Sequence, residues 1–454
     1  MSKKITIIGA GLAGTLLSIY LSKKGYAVEI YERRQDMRLF NTGGGKSINL
    51  ALSARGIHAL KEVGLYNEIK SISIPMYGRM LHAHDKSTAF QPYGKDKSEY
   101  INAVSRAELN KKLMDVAGQN NNVEFHFNRR CTGYNYDANE VFFYNDSTGE
   151  SSSTKCDVII AADGATSALR HELQKIPRFD FSQEYENYGY KELIIPADES
   201  GKFRMEMNAL HIWPRGSFML IALPNTDSSF TCTLFLAYDR SFGGDNSFEF
   251  LDSKEKVVNF FRREFPDALD FMPNLEKEFF SNPVGSLITI KCYPYSFGGK
   301  LSMIGDAAHA VVPFFGQGMN AAFEDCTYIN ECLEKYGDNW EQVFYDYQQH
   351  RKPNSDAIAR LAQENFVEMR DLVAQPRFQI KKKIEAELQK RFPRKFVPKY
   401  SMVTFHRVPY SVALKRGIKQ EEILNELSED IRSIDQVDWD KAAELVNYSL
   451  TELL

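Results

Sequence analysis

The chain has 454 residues, of which 43% are hydrophobic, 26% charged and 13% aromatic. At roughly 150 residues per domain this length predicts two or three domains, and the composition excludes a disordered chain. With 56 Lys and Arg against 60 Asp and Glu the formal charge is −4, so no global basic field favours nucleic acid. The cysteines lack a CxxC pair, which favours reduced thiols over metal ligands or disulfides, although six thiols could still pair by twos.

The amino terminus resembles a secretory signal, because Lys3 and Lys4 precede an apolar run over residues 5–21. Three glycines lie inside that run at fixed offsets, and residues 26–32 form a second predicted strand where a signal would carry a cleavage site. No other stretch reaches the roughly 18 apolar residues of a membrane span, and residues 420–454 are charged throughout. We therefore expect neither a signal peptide nor a membrane anchor.

The first predicted elements form a βαβ unit. Residues 5–8 are a short apolar strand, residues 12–24 have helical apolar spacing, and residues 27–31 are rich in β-formers. Two later segments, 155–161 and 299–304, read as strands of the same parallel layer, and each is followed by an acidic residue next to a glycine. The parallel sheet must be covered on both faces.

A second layer is predicted between these strands. Residues 209–223 and 230–237 alternate and are rich in aromatic and β-branched residues, which favours antiparallel strands. Beyond about residue 320 the apolar spacing becomes helical, over 321–336, 340–349, 355–373, 378–391 and 421–454. The predicted domains are a discontinuous nucleotide-binding domain (1–75, 102–180 and 285–350), a sheet domain (76–101 and 181–284) and a C-terminal helical region (351–454).

A glycine fingerprint lies at the start of the βαβ unit. Gly9, Gly11 and Gly14 follow a strand and open a helix, where glycines let the backbone approach a pyrophosphate. Glu32 ends the second strand, and its carboxylate can accept hydrogen bonds from the hydroxyls of an adenosine ribose. The fingerprint predicts dinucleotide binding and leaves FAD and NAD open, with an ordinary glycine-rich helix start as the alternative.

Two further motifs decide between the dinucleotides. Asp306 follows a strand, where it can bond a ribityl or ribose hydroxyl, and Gly316 and Gly318 expose backbone donors at the next helix. Together with Asp163 and Gly164 they resemble the GD and DG motifs of the FAD-dependent aromatic hydroxylases. The resemblance implies an α/β fold in which a Rossmann-like FAD-binding domain is interrupted by an antiparallel-sheet substrate domain, with a C-terminal helical region.

The resemblance narrows to the branch of this family that hydroxylates L-kynurenine. It is carried by residues 47–53 with Arg55 and Gly56, and by residues 187–193, 211–215, 230–234 and 312–320. It implies that FAD is the cofactor and that L-kynurenine, O2 and NADPH are the substrates. One oxygen atom would enter the ring ortho to the aniline nitrogen through a flavin hydroperoxide.

Four residues match the family positions that bind the substrate. Kynurenine carries a carboxylate, which needs a planar cation, and an aniline ring, which needs an apolar slot. Arg79 and Tyr93 match the carboxylate contacts, and Asn365 and Tyr400 match the remaining polar contacts. The alternative for each residue is a surface ion pair or core packing.

The same matching gives the residues that would contact FAD. They are Gly9, Gly11, Gly14, Glu32, Arg34, Ala51, Arg106, Cys131, Asp163, Asp306, Gly316, Gly318, Met319 and Asn320. Cys131 would contact FAD through its backbone. Pro313, Phe314 and Phe315 are the apolar residues expected at the flavin face. No catalytic acid or base is predicted, because the aniline nitrogen already activates the ring.

Other candidates are weaker. His309 is predicted either as a proton shuttle or as a structural residue at the flavin edge. His82 and His84 share a face of a predicted strand without Cys or acidic partners, so no metal site is predicted. The basic run over residues 381–395 is expected to be a solvated helix face, with membrane or partner docking as the alternative.

Alternative functions remain open. The chain could hydroxylate another anthranilate-like acid, or it could bind flavin without catalysis. A plain NAD dehydrogenase is disfavoured by the GD motif. We expect a cytoplasmic enzyme that is a monomer or a homodimer.

Overall fold

The computed structural model describes residues 3–40, 49–94, 96–369 and 375–453. Its strands, in chain order, are β1 (Lys4–Ile8), β2 (Ala27–Tyr31), β3 (Asn49–Leu52), β4 (Ser73–Met76), β5 (Gly78–His82), β6 (Thr88–Pro92), β7 (Ile101–Ser105), β8 (Val123–His126), β9 (Arg130–Asn135), β10 (Glu140–Tyr144), β11 (Ser151–Lys155), β12 (Val158–Ala161), β13 (Asp180–Ile195), β14 (Ala209–Pro214), β15 (Met219–Pro224), β16 (Phe230–Ala237), β17 (Gly285–Tyr293), β18 (Ser296–Phe297) and β19 (Leu301–Met303).

The helices, again in chain order, are α1 (Leu12–Lys23), α2 (Ala54–Glu62), α3 (Tyr66–Ser71), α4 (Arg106–Gly118), α5 (Ala168–Leu173), α6 (Arg240–Gly243), α7 (Lys254–Glu264), α8 (Pro266–Leu269), α9 (Leu275–Ser281), α10 (Asp306–His309), α11 (Gly318–Tyr336), α12 (Trp340–Val367), α13 (Pro376–Arg391), α14 (Lys399–Thr404), α15 (Tyr410–Leu427) and α16 (Trp439–Ser449). No helix in the described ranges is long and apolar enough to cross a membrane.

Two compact units divide the chain. The first unit comprises Met1–Ser73, Val104–Tyr185 and Ile288–Ala359, and the second comprises Ile74–Ala103, Glu186–Leu287 and Arg360–Leu454. The predicted α/β class is confirmed, since a mainly parallel sheet with helices and a mainly antiparallel sheet are both present.

The first unit is built on a six-stranded sheet of order β18-β19-β12-β1-β2-β8. Its central strand β1 pairs in parallel with both β2 and β12. Both faces of β1 are covered, since Ile5 and Ile7 on one face and Thr6 and Ile8 on the other are all buried, which explains why this strand lacks an exposed polar face. The helix α1 is buried along most of its length for the same reason.

The second unit contains a seven-stranded sheet of order β17-β13-β16-β15-β14-β5-β6. Its ladders from β13 to β14 are antiparallel, and β14 pairs in parallel with β5. Trp213, Leu220 and Leu234 on one face pack with Phe260 and Phe261 from α7 in a continuous apolar core. A separate core joins α13, α15 and α16.

Several predicted elements differ in their limits from the observed ones. The predicted strand over 155–161 is divided between β11 and β12, because these two strands belong to different sheets, β11 pairing with β10 and β12 with β1. The predicted strand over 209–223 is a hairpin of β14 and β15 that turns at Gly216, whose φ of 73° favours glycine.

The helical region also differs in detail. The two helices predicted over 340–349 and 355–373 run as the single helix α12, with Pro353 inside it. Residues 370–373 of that prediction lie outside the described residues. The continuous helix predicted over 421–454 is instead two helices, because α15 ends at Leu427 and Asp438 caps α16 through the N–H groups of Asp440 and Lys441.

Candidate functional site

The glycine-rich turn of the first unit is closely packed on one side and open on the other. A Cβ on Gly9 would lie 2.5 Å from the Ala162 carbonyl oxygen, and one on Gly14 would lie 2.2 Å from the Gly9 carbonyl oxygen. A Cβ on Gly11 would meet no atom within 4 Å. Gly9 and Gly14 therefore close the turn, while Gly11 faces a space that a pyrophosphate can approach.

Glu32 is bonded to the same turn. Its carboxylate accepts hydrogen bonds from the backbone N–H of Ala10 at 2.9 Å and of Arg34 at 3.0 Å. A carboxylate has about four acceptor positions, so lone pairs remain for two hydroxyl groups of a ribose. The Arg34 side chain is exposed beside it.

Asp163 lies directly after β12 and has a spare acceptor. Its Oδ2 accepts from the Ala168 N–H at 2.8 Å, whereas its buried Oδ1 has no hydrogen-bond partner among the described residues. Burial raises the pKa of this carboxyl group. An unpaired buried acceptor is costly, so a ligand hydroxyl or N–H at this position would be stabilising.

Cys131 on β9 is not a reactive thiol. Burial, followed by the nearby charge of Asp163, raises the pKa of Cys131 to about 12. The thiol therefore stays protonated at neutral pH, and its Sγ lies 3.8 Å from the Gly133 carbonyl oxygen.

Asn320, at the start of α11, joins two loops. Its Oδ1 accepts from the Ser53 N–H at 2.9 Å, and its Nδ2 donates to the carbonyls of Ala51 at 2.8 Å and Gly316 at 2.9 Å. Gly316 adopts a φ of 64°, which favours glycine. This fully buried amide fixes the end of β3 against the turn that opens α11.

The remaining residues that are predicted to contact the flavin differ in their exposure to solvent. Arg106 and Asp306 are exposed first residues of α4 and α10. Met319, Phe314 and Phe315 are buried, whereas Pro313 is exposed. Gly318 is the first residue of α11, where backbone N–H groups lack helical partners.

A buried charge network supports the Gly305–Asp306 turn, and the sequence did not reveal it. Asp325 Oδ2 accepts from the Gly305 N–H and lies near His309 Nε2, both at 2.7 Å. Asp325 Oδ1 accepts from Arg351 Nε at 2.6 Å, and Arg351 also pairs with Glu324 at 2.6 Å. His309 is therefore engaged in this network and is not placed as a free proton shuttle.

The second unit places two predicted tyrosines around Arg79. The rings of Tyr93 and Tyr400 are stacked at a centroid distance of 5.5 Å and an angle of 12°. The Arg79 guanidinium carbon lies 5.7 Å from the Tyr93 centroid and 4.9 Å from that of Tyr400. Phe405 packs against both rings. Arg79 and Tyr93 come from one part of the sequence, Tyr400 and Phe405 come from another, and the four side chains form one cluster.

The charge states of this cluster suit anion binding. Burial alone would lower the pKa of Arg79, but Tyr400, Tyr93 and Glu368 outweigh it, and the pKa is raised. Burial raises the pKa of Tyr93 and of Tyr400, so both phenols stay neutral donors. Arg79 Nε has no hydrogen-bond partner within the described residues. A cation with two neutral phenols is a suitable site for a carboxylate.

Glu368 and Lys382 flank the cluster and were not predicted. Lys382 Nζ lies 3.6 Å from Glu368 Oε1. Burial would raise the pKa of Glu368, but Lys382, Arg79 and Lys399 lower it, so it stays ionised. Asn365 lies one helical turn earlier, is buried, and donates from Nδ2 to Met369 Sδ at 3.2 Å. Asn365 was predicted by matching of motifs, whereas Lys382 was predicted only as part of the basic run expected to be a solvated helix face.

A cavity of about 300 Å³ lies in the second unit near the end of α12. It is lined by Glu186, Asn187, Tyr188, Phe242, Gln363, Phe366 and Val367. Phe242 and Phe366 contact the Tyr188 ring edge to face at 5.3 Å. The cavity therefore presents an aromatic wall with a few polar groups.

Other predicted features take structural roles. His82 ends β5 and His84 lies beyond it, and they have different partners, Asp267 and Glu264 respectively. In the basic run, Lys381 and Lys382 pair with acidic side chains, and Arg391 also stacks on Trp439 at 4.3 Å. Much of the run's charge is therefore neutralised within the protein.

The first-unit residues fit an FAD. Three features suit groups that a dinucleotide carries. The open space beside Gly11 suits a phosphate, and the spare lone pairs of Glu32 suit a ribose. The unpartnered Oδ1 of Asp163 suits a hydrogen-bond donor of the ligand.

Comparisons with known proteins agree with this reading. A protein family described as an FAD binding domain matches residues 2–362. The chain is 48% identical over 450 residues to the kynurenine 3-monooxygenase of Myxococcus xanthus, covering 99% of this chain and 96% of the relative. It is 42% identical over 467 residues to the kynurenine 3-monooxygenase of Dictyostelium discoideum, covering 100% of this chain and 99% of the relative.

Solved structures share the fold at lower identity. The 2-methyl-3-hydroxypyridine-5-carboxylic acid oxygenase is 20% identical with a TM-score of 0.65, covering 83% of this chain and 94% of that one. PqsL of P. aeruginosa is 17% identical with a TM-score of 0.64, covering 82% of this chain and 97% of that one. These structures confirm the predicted fold.

Proposed function

The chain belongs to the family of FAD-dependent kynurenine 3-monooxygenases, and from this premise we propose that it hydroxylates L-kynurenine to 3-hydroxy-L-kynurenine with NADPH and O2. The observation that carries the proposal is Arg79, a cation beside two neutral, mutually stacked tyrosines, which suits the carboxylate of an amino-acid substrate.

Residues of the first unit would hold the cofactor. When bound, FAD accepts a hydride from NADPH and activates O2 for transfer of one oxygen atom. Gly9, Gly11 and Gly14 would admit the pyrophosphate, and Glu32 would accept from the adenosine ribose. The other predicted contacts are Arg34, Ala51, Arg106, Cys131, Asp163, Asp306, Gly316, Gly318, Met319 and Asn320.

The substrate is recognised by residues of the second unit. The Arg79 guanidinium binds the carboxylate, and the hydroxyls of Tyr93 and Tyr400 donate to its oxygens. Asn365 supplies a further polar contact. Because all four side chains bind and orient, none is required as a proton acceptor, and the aniline nitrogen activates the ring.

Apolar residues protect the reaction from water. Phe314 and Phe315 are buried, and together with Pro313 they form a short 3₁₀ turn after α10. At the flavin face they would exclude water, which would prevent loss of the activated oxygen as peroxide.

We further propose a cytoplasmic location. We also propose that the protein is a monomer or a homodimer, and size-exclusion chromatography with light scattering would decide between these two states.

NADPH oxidation by the purified yellow protein tests the proposal. L-kynurenine should strongly accelerate NADPH consumption and yield a product heavier by one oxygen atom. Acceleration that yields only peroxide would make kynurenine an effector and leave another aromatic acid as substrate. An FAD-loaded protein that does not respond to aromatic acids would instead support a non-catalytic flavoprotein.

A further inference from the structure

His82 lies in a buried chain of hydrogen bonds in the second unit. Its Nδ1 is 2.6 Å from Asp267 Oδ2, and its Nε2 is 2.8 Å from His211 Nδ1. His211 Nε2 is 2.8 Å from the Glu206 carbonyl oxygen. Trp213 Nε1 donates to both Asp267 oxygens at 2.9 Å. His82 and His211 are 6% and 1% exposed, so water does not supply alternative partners.

The number of protons in this chain follows from donor and acceptor chemistry. The Glu206 carbonyl only accepts, so His211 Nε2 carries a proton. The contact between the two rings needs one proton, and the contact between His82 and Asp267 needs another. Three protons shared by two imidazoles and a carboxylate leave either one cationic ring or a neutral carboxylic acid.

The two partners of His82 are polar groups with few other contacts. Burial lowers the pKa of His211 to about 4, so that ring stays neutral at neutral pH. Burial would raise the pKa of Asp267, but hydrogen bonds from His82 and Trp213 outweigh it and the pKa is lowered. Both nitrogens of the His82 ring are therefore engaged, Nδ1 with Asp267 and Nε2 with His211.

Other charged groups around His82 come from the segments packed against it. Arg215 Nη1 donates to the His82 carbonyl at 3.0 Å, and its Nε donates to the Glu264 carbonyl at 2.6 Å. The Glu264 carboxylate is occupied by Arg263 at 2.7 Å and lies 3.9 Å from His84. Asp267 is therefore the carboxylate paired directly with the His82 ring.

His82 lies at the end of a hairpin that is supported on one side. Strand β5 pairs with β14 and with β6, and β6 is the outer strand of the sheet, with mostly exposed residues. This hairpin carries Arg79 on β5, and Tyr93 follows β6 directly. Strand β5 pairs with β14 over residues 78–81, and His82 with its hydrogen bonds lies just beyond this paired stretch.

We propose that His82 is a positioning residue, held through both ring nitrogens between Asp267 and His211, which fixes the β5–β6 hairpin and thereby places Arg79 and Tyr93. The effect on substrate rests on the proposed function of Arg79. His82 itself touches neither substrate nor cofactor in this account, and it acts through the hairpin.

Three measurements on the FAD-loaded enzyme test the proposal with the variants His82→Gln and Asp267→Asn. The control is His84→Gln, since His84 lies two residues away and its side chain is 62% exposed. In proton NMR, the buried chain should give an imidazole N–H signal that exchanges slowly with water. That signal should vanish in His82→Gln and persist in His84→Gln. Its absence from the wild-type enzyme would overturn the proposal.

Hydrogen exchange tests positioning without any ligand. The amides of Ala89 and Gln91, which the ladder turns toward β5, should exchange roughly fivefold faster in His82→Gln and Asp267→Asn, and as in wild type in His84→Gln. Unchanged exchange in a folded His82→Gln protein would overturn the proposal. Asp267→Asn keeps an acceptor for Trp213, so it serves if His82→Gln does not fold.

Ligand preference tests the consequence for Arg79. Wild type should prefer L-kynurenine over its analogue that lacks the carboxylate, and this preference should fall roughly five- to tenfold in His82→Gln. It should not change in His84→Gln. A retained preference in His82→Gln would contradict the placement of Arg79 by His82. If wild type binds neither compound, the proposed function fails, whereas NMR and exchange still decide the role of His82.

Discussion

The Arg79 guanidinium carbon lies 4.9 Å from the centre of the Tyr400 ring. The two residues are more than 300 positions apart, and each comes from a different element of the second unit. Arg79 Nε under this ring has no hydrogen-bond partner among the described residues, so that N–H stays available to an anion.

The Arg79→Met variant should lose substrate affinity. Removal of a charge-assisted hydrogen bond should weaken L-kynurenine binding by about 1.5–3 kcal/mol, measured by titration of flavin absorbance. Arg240→Met is the matched control, because Arg240 likewise lies over an aromatic ring, that of Phe250, at 5.1 Å. Unchanged affinity in Arg79→Met would remove Arg79 from the site.

Gly11→Ala and Gly14→Ala should separate cofactor binding from folding. A methyl on Gly14 would meet the Gly9 carbonyl oxygen at 2.2 Å, so the apoprotein should lose about 1–3 kcal/mol of unfolding free energy. A methyl on Gly11 meets nothing, so apoprotein stability should change by less than about 0.5 kcal/mol while FAD affinity falls. Full FAD affinity in Gly11→Ala would contradict the pyrophosphate assignment.

Asn320→Ala should weaken FAD binding through the loops that Asn320 joins. Loss of its three buried hydrogen bonds should cost about 1–3 kcal/mol of apoprotein stability, measured by urea unfolding, and should raise the FAD dissociation constant. Asn330→Ala, at a partly exposed position bonded to Glu334 on the same helix, is the control. Equal effects of both substitutions would reject the role of Asn320.

Asp325 should make stability depend on pH in acid. Burial would raise the pKa of Asp325, but His309 and Arg351 lower it. A lowered pKa gives a stabilisation that is complete above the unfolded value near about 4 and is lost as pH falls toward the folded value. Below about pH 4, the unfolding free energy of wild type should therefore fall more steeply than that of Asp325→Asn.

A surface carboxylate provides the control for this measurement. Asp356 forms an ion pair with Lys352 and is 43% exposed, so Asp356→Asn should change the unfolding free energy at neutral pH by less than about 1 kcal/mol. Asp325→Asn should lose about 3–5 kcal/mol there, because the buried Arg351 loses one of its two carboxylate partners. Parallel pH profiles of wild type and Asp325→Asn would show that Asp325 does not titrate as described.

The sequence predicted those features that depend on local pattern. The glycine fingerprint, the βαβ unit and Asp163 after its strand follow from spacing within one segment, and the structure has each of these elements. The break between β11 and β12 and the helix through Pro353 were missed, because pairing in different sheets and tertiary packing override local preference.

Long-range groupings could not be predicted from pattern alone. Arg79, Tyr93 and Tyr400 were matched individually by family resemblance, but their stacked arrangement depends on how the second unit folds. The Asp325 network and the contact of His82 with Asp267 join residues whose side chains are ordinary in their own segments. Their roles emerge only when burial removes water as a partner.

Oxygen labelling tests the central claim most directly. The FAD-loaded enzyme, NADPH and L-kynurenine would be incubated under isotopically labelled O2, and the product would be analysed by mass spectrometry and NMR. The account predicts 3-hydroxy-L-kynurenine with one labelled oxygen atom, attached to the ring ortho to the amino group. An unlabelled product, or labelled peroxide with unchanged kynurenine, would contradict it.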